Sequence, residues 1–231
     1  MNLGPRLEAV AALAAVGKYK VGADIGTDHA KLAMELARRN ICSHVIAADK
    51  NTSPCEAARS AISGENLSES VEVRQGDGLA VLTAGEADLI TIAGMGGELM
   101  LSILAAGETV LANRPRIVLQ PQTDLPAVRC RIYENGWQIT DEAMAEENGR
   151  IYVIMAIETA ADKTVNRPTE EQLVTGLFIR DKYPELWAKY AGENIAKLRR
   201  AVAGMERGKN AVESAEYARQ KQELTVWENA I

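Results

Sequence analysis

Three cysteines (Cys42, Cys55 and Cys130), two histidines and a single phenylalanine are all that this 231-residue chain carries of those types. An odd cysteine count with no Cys-x-x-Cys pair gives neither a disulfide framework nor a zinc site, so the thiols read as buried or incidental. Aromatic residues make up only 4% of the chain while hydrophobic residues reach 47%, so Leu, Ile, Val and Ala must fill the core. No stretch approaches the ~18 consecutive apolar residues that a membrane-spanning helix requires. The apolar run Ala9–Val16 is preceded by Glu8 and followed at once by folded-domain sequence, so it reads as a helix face and not as a signal peptide. Metal chemistry and membrane residence are therefore not indicated, and a cytoplasmic location is expected.

A second absence is more specific. The stretch Val21-Gly-Ala-Asp-Ile-Gly-Thr-Asp-His-Ala-Lys-Leu32 reads as a short apolar strand, a tight turn, and a helix opening at about His29. Such turns bind dinucleotides when they carry Gly-x-Gly-x-x-Gly, which lets pyrophosphate rest on the helix N-terminus. Here only Gly26 keeps its place, and Asp28 and His29-Ala30-Lys31 stand where the other glycines would be. A carboxylate at Asp28 repels pyrophosphate and tolerates a ligand with positive charge. Asp24 at the strand's end, with bare backbone at Gly26, suits a nucleoside carrying a cation, such as S-adenosylmethionine.

The rest of the chain repeats the strand-then-helix pattern. Pro5 to Gly17 predicts a first helix, with Arg6 projecting from its first turn as solvated surface or, less commonly, a phosphate contact. A second strand, Ser43–Ala48, ends at Asp49, 25 residues after Asp24. A carboxylate at that tip can accept hydrogen bonds from both ribose hydroxyls. Ser53 and Pro54 then predict a helix start with Glu56 in its first turn. A third strand over Val71–Gln75 runs into Gly76-Asp77-Gly78, where the carboxylate can accept from an adenine amine or simply mark a turn. Ala87–Ala93 is nearly all apolar, as for a parallel strand covered on both faces, and opens into Gly94-Met95-Gly96-Gly97. A fifth strand, Ile117–Leu119, ends in Gln120-Pro121-Gln122, whose amides can donate and accept toward a base edge. Asp124 begins a helix ending near Asn135-Gly136, and Trp137–Met144 and Ile151–Glu158 flank an Asn148-Gly149 hairpin turn. Five β-then-helix units and an antiparallel hairpin make the strand inventory of a Rossmann-like α/β class I methyltransferase sheet.

Beyond Glu158 the pattern changes to a stripe of Ile195, Leu198, Val202 and Met205, spaced as in a heptad. A break at Gly208-Lys209-Asn210 separates it from a last helix, about Val212 to Trp227, giving an antiparallel coiled-coil hairpin. Charge divides along the same line. Residues 1–162 hold 14 basic against 22 acidic side chains, and residues 163–231 hold 12 against 10. Lys189, Lys197, Arg199, Arg200 and Lys209 border the stripe as a solvated face or a set of phosphate contacts. The expected domains are 1–160 and 161–231. Oligomeric state is not fixed by the sequence, with a monomer slightly favoured.

With these motifs placed, the chain resembles the bacterial tRNA (adenine-22-N1)-methyltransferases, the TrmK-like family. The resemblance runs through Arg6-Leu7, residues 23–30 (Ala-Asp-Ile-Gly-Thr-Asp-His-Ala), 74–79 (Arg-Gln-Gly-Asp-Gly-Leu), 85–88 (Gly-Glu-Ala-Asp), 91–97 (Thr-Ile-Ala-Gly-Met-Gly-Gly) and 119–121 (Leu-Gln-Pro). It implies S-adenosylmethionine as cofactor and tRNA as partner, with methyl transfer to N1 of an adenine in the D-arm. Asp24, Gly26, Thr27, His29, Asp49, Lys50, Gly76, Asp77, Gly78, Ala93, Gly94 and Met95 would then hold the cofactor. Arg6, Gly96, Gly97, Gln120, Pro121, Gln122, Lys197, Arg199 and Arg200 would face the tRNA, and Asp28 would be catalytic, the alternative being a plain N-cap of the helix opening at His29. Two positions depart from the family: Asp49 stands where relatives often have Glu, and Gln122 stands where Asn is expected. The Asp/Asn-Pro-Pro-Tyr/Phe motif associated with exocyclic-amine methylation is absent at the strand-four tip, compatible with a ring nitrogen as acceptor.

Three rivals follow from the same residues. A class I methyltransferase on another substrate is disfavoured by the basic helical appendage. A non-catalytic RNA-binding protein on this fold is disfavoured by the intact Asp24, Gly26, Asp49 and Asp77. A nicotinamide oxidoreductase is disfavoured by the missing glycines.

Overall fold

Parallel strands β1 (Tyr19–Ile25), β2 (Cys42–Asp49), β3 (Val71–Gln75), β4 (Leu89–Met95) and β5 (Arg116–Pro121) form the centre of the computed structural model. The antiparallel pair β6 (Trp137–Glu147) and β7 (Arg150–Thr159) completes one seven-stranded sheet of order β3-β2-β1-β4-β5-β7-β6. Val45, Ile46, Ala47 and Ala48 of β2 and Leu89, Ile90 and Ile92 of β4 are buried without alternation, because helices cover both faces of a parallel sheet. Those helices are α1 (Pro5–Ala14), α2 (Lys31–Arg38), α3 (Thr52–Gly64), α4 (Gly97–Ala106) and α5 (Leu125–Glu134). Asn148 and Gly149 both take positive φ (52° and 74°), the backbone that a two-residue hairpin turn matching strand twist requires.

Residues 3–159, 167–208 and 211–231 are described by the structure. The chain divides into two compact units, Met1–Val165 and Asn166–Ile231. Their join, and Lys209 with Asn210 of the expected break, lie outside the described residues. The second unit contains α6 (Glu170–Thr175), α7 (Ile179–Lys182), α8 (Pro184–Glu206) and α9 (Ala215–Ala230). Helices α8 and α9 run antiparallel: Arg199 pairs with Glu228 (2.7 Å), and the Tyr217 hydroxyl donates to Glu206 (3.0 Å). Ile195, Leu198 and Val202 are buried as the stripe predicts, whereas Met205 is only half-buried. The hairpin's core also holds an aromatic cluster that the stripe does not reveal. Trp187 and Trp227 pack with ring centres 6.0 Å apart and planes tilted by 40°, and Tyr190 meets Trp227 edge-on at 5.5 Å.

Several helix starts differ from expectation. Helix α2 begins at Lys31 and not at His29, because His29 and Ala30 both adopt left-handed backbone (φ 53° and 52°). No glycine advertises that turn, so apolar periodicity alone places the start two residues early. In α3 the N-cap is Asn51, which leaves Glu56 beyond the first turn. Helix α9 starts three residues later than expected, after a short 3₁₀ turn over Ala211–Glu213.

Candidate active site at the strand tips

The order of strands reverses between β1 and β4, and α/β sheets bind ligands at the carboxyl ends of the strands beside such a reversal. Backbone hydrogen bonds lock the tips together there. Gly26 and Thr27 both donate to the Ala48 carbonyl (2.8 and 2.9 Å), and Gly76 donates to Asp49 (3.0 Å). On the other side Gln122 donates to the Met95 carbonyl (2.8 Å). The ladder slips between Ala93 and Met95, and Gly94 takes φ 80° at this bulge, which an L side chain rarely adopts. The terminal methyl of Met95 lies over Gly26, whose φ of 77° is a backbone that an L side chain rarely adopts.

Three carboxylates stand at adjacent tips in different environments. Asp24 is buried, and burial pushes its carboxyl above the usual range. The Thr91 hydroxyl donates to it (2.9 Å) and pulls the other way. The buried Thr27 hydroxyl acts in the same sense as Thr91, but without completing a hydrogen bond of normal geometry. A cation in the crevice would relieve Asp24. Asp49 Oδ1 accepts from the Asn51 backbone (2.8 Å) and side-chain amide (3.1 Å), which fixes the carboxylate at the tip of β2. Asp77 is exposed, and although it stands at the N-cap of a 3₁₀ turn over Gly78–Val81, its side chain makes no capping bond. Arg74 braces that turn: Nη1 donates to the Val81 carbonyl (3.0 Å) and to Glu86 (2.9 Å), whose carboxyl the guanidinium holds down at about 2.

A cavity of about 220 Å³ opens beside this row, lined by Arg6, Asp24, Gly26, Asp28 and Ala93 together with Gly4, Leu7, Lys31, Leu32 and Glu147. Asp28 is not the cap of α2. Its side chain is 85% exposed, with His29 Nε2 3.4 Å away as the nearest charge partner, while the cap position falls on Ala30. His29 is exposed, Lys50 flanks Asp49 in the open, and Gly96 and Gly97 begin α4 with the Gly97 N–H held by Thr123 Oγ1 (3.1 Å).

Gln120 and Pro121 are buried, which changes their expected part. Gln120 Oε1 accepts from Arg6 Nη1 (2.9 Å) and the Gly94 N–H (3.1 Å), and its Nε2 donates to the Pro121 carbonyl (3.0 Å). With both ends of the amide engaged, Gln120 shapes the β4 bulge and offers no open edge to a base. Arg6 is likewise turned inward, over the Tyr152 ring at 5.6 Å and toward Glu147 at 3.8 Å, not held out in solvent. Gln122 is half-buried at the rim. Lys197, Arg199 and Arg200 belong to the second unit and are exposed on α8. There Arg199 is committed to Glu228, and Arg200 Nε donates to the Ala196 carbonyl (3.2 Å).

A sheet of this order, with an antiparallel seventh strand and carboxylates at its first three tips, is the Rossmann-like fold of class I methyltransferases. Within that class, the model of the tRNA (adenine(22)-N(1))-methyltransferase family matches residues 22–227, and the chain belongs to this family. The tRNA (adenine(22)-N(1))-methyltransferase of Bacillus subtilis is 38% identical over 158 residues, an alignment spanning 68% of this chain and 66% of that one. The crystal structure of the B. subtilis M1A22 tRNA methyltransferase TrmK superposes with a TM-score of 0.82 at 29% identity, covering 99% of this chain and 95% of the other. A Streptococcus pneumoniae protein solved in complex with S-adenosyl-L-methionine superposes at 0.85, with 28% identity and 99% of both chains covered. The family named from the motifs is the one these comparisons return.

Proposed function

We propose that the protein transfers the methyl group of S-adenosylmethionine to N1 of adenine 22 in tRNA. The observation that carries this reading is the row of strand-tip carboxylates beside a cavity that contains Asp28, in a chain belonging to this family. The residues fit the donor. Asp24 is a buried carboxylate that a cation relieves, Asp49 can accept from ribose hydroxyls, and Asp77 is free of capping duty and can accept from the adenine amine. Gly26, Thr27, His29, Lys50, Gly76, Gly78, Ala93, Gly94 and Met95 complete the binding wall, with His29 shaping the methionine end.

S-adenosylmethionine supplies an electrophilic methyl group when bound. N1 of neutral adenine carries a free lone pair, so no side chain has to remove a proton before transfer. Positive charge grows on the base, and a fixed carboxylate beside the ring stabilises it most where that charge develops. Asp28 takes this part, and Gly96, Gly97 and Gln122 line the approach of the base. Because N1 lies on the Watson–Crick edge, the adenine must be unpaired or flipped out to reach the cavity.

We assign residues 1–160 to catalysis and 161–231 to tRNA contact, and place the reaction in the cytoplasm. Among the described residues no helix is long and apolar enough to cross a membrane. Lys197 and Arg200 are the basic side chains on α8 best placed to meet phosphates, Arg199 being held by Glu228. The double variant Lys197→Glu/Arg200→Glu is expected to raise the KM for tRNA about tenfold and to flatten its salt dependence by about two ions. The Kd for S-adenosylmethionine should stay within about twofold; unchanged tRNA kinetics would leave the hairpin a structural element. The function itself is tested by incubating unmodified tRNA with protein and S-adenosylmethionine and identifying the methylated nucleoside by mass spectrometry. The expected product is 1-methyladenosine at one position, and N6-methyladenosine or no product would contradict the assignment.

A further inference from the structure

The cavity holds a carboxylate that the donor site does not use. Glu147 is the last residue of β6, and the Asn148-Gly149 turn brings it to the crevice. Arg150, the first residue of β7, donates from Nη2 to the Gln122 carbonyl (3.3 Å) and lies over the Tyr152 ring at 5.2 Å. The first of these contacts ties the hairpin tip to the residue that follows β5, where the site lies. From the opposite side, Gly4 leaves the space that the carboxylate fills, since a Cβ there would collide with Glu147 Oε1. Arg6 Nε stands 3.8 Å from Glu147 Oε2, beyond the roughly 2.7–2.9 Å of a charge-assisted hydrogen bond, while its Nη1 is engaged with Gln120. Glu147 is thus held near a guanidinium without being closed off by it. Its side chain is 24% exposed against 85% for Asp28, and both line the same cavity as Ala93 and Gly26.

An ionised carboxylate can only accept hydrogen bonds. Beside N1, adenine presents an amine with two donors, whereas guanine presents an acceptor oxygen and carries a proton on N1 itself. The geometry points to Glu147 as the residue that reads the exocyclic amine of the target base and so selects adenine over guanine. This rests on the methyl transfer proposed above. An amine N–H donating to Glu147 orients the ring with N1 toward the donor site and leaves Asp28 beside the developing charge. Guanine sets its oxygen against a half-buried carboxylate with no proton between them, and sites built to bond one group reject the base lacking it far more strongly than apolar pockets do.

A cycle between enzyme and substrate separates this contact from a merely structural pairing with Arg6. Wild type, Glu147→Ala and Glu147→Gln are assayed on tRNA transcripts carrying either adenine or purine at the target position, purine having N1 but no amine. Wild type should lose about 10- to 100-fold in kcat/KM when the amine is removed. Glu147→Ala should lose about as much on adenine and little more on purine, and the Gln variant, whose amide oxygen still accepts, should fall between. All three should bind S-adenosylmethionine with the same Kd. If the two deletions multiply independently, or if donor affinity falls with the Glu147 variants, the proposal is overturned. Failure of wild type to form 1-methyladenosine on the adenine transcript would instead overturn the function on which it rests.

Discussion

Replacing Asp28 by alanine is expected to lower kcat for tRNA methylation by about 10²- to 10³-fold, the loss seen when one preorganised electrostatic stabiliser is removed. Affinity for tRNA should change by less than about threefold, because the carboxylate acts where charge develops and not on the ground-state base. The structure adds a condition to this expectation. Asp28 is 85% exposed, with His29 Nε2 3.4 Å away, and an exposed carboxylate is worth little against a charge across water. Its effect therefore depends on the RNA closing the crevice and excluding solvent. Asp28→Asn should be nearly as impaired as Asp28→Ala, since it keeps the shape and loses the charge. Single-turnover rates with bound tRNA measure this directly, and equal rates for mutant and wild type would remove Asp28 from the mechanism.

The second large effect concerns stability. Arg129 on α5 and Glu142 on β6 are both fully buried, and Nε donates to Oε1 at 2.9 Å. Arg129→Met leaves the Glu142 carboxylate in the core without its guanidinium, and breaking such pairs costs about 3–5 kcal/mol. For a unit of this size that corresponds to a fall in Tm of roughly 10 °C. The double variant Arg129→Met/Glu142→Leu should recover most of it, because an apolar pair of similar volume removes both desolvation penalties. Thermal melts of the three proteins check this; a single variant melting within about 2 °C of wild type would contradict it. Glu142 lies on the strand that ends at Glu147, so the buried pair also anchors the hairpin that reaches the cavity.

Features with a local cause could be read from the sequence. The central strand over Ala87–Ala93 is legible as a nearly continuous apolar run, the hairpin through Asn148-Gly149, and the helical unit through Ile195, Leu198 and Val202. Helix α6 is too short to show an apolar period, although its capping box, Thr169 with Gln172, stands in the sequence as Thr-Glu-Glu-Gln. Other features have no local signature. Nothing around His29 and Ala30 marks a left-handed pair, since neither is glycine. The burial of Gln120 depends on Arg6, 114 residues away, and Arg6 itself looked like surface because its partners come from β5, β6 and β7. Glu147 reads as an ordinary hairpin acid until Gly4 is seen to make room for it. Strand-tip acids could be picked out because each ends a recognisable strand; residues that cross the crevice could not.

The proposed reaction requires the methyl donor to bind in the crevice at the ends of β1, β2 and β3. Calorimetric titration with S-adenosylmethionine tests it most directly, using wild type, Asp49→Ala, and wild type with NAD as the competing nucleotide. Wild type should bind one equivalent of donor and give no heat with NAD. Asp49→Ala should bind the donor about tenfold or more weakly, as expected for loss of charge-assisted hydrogen bonds worth about 1.5–3 kcal/mol. Equal donor affinity in the variant, or tight binding of NAD by wild type, would contradict it.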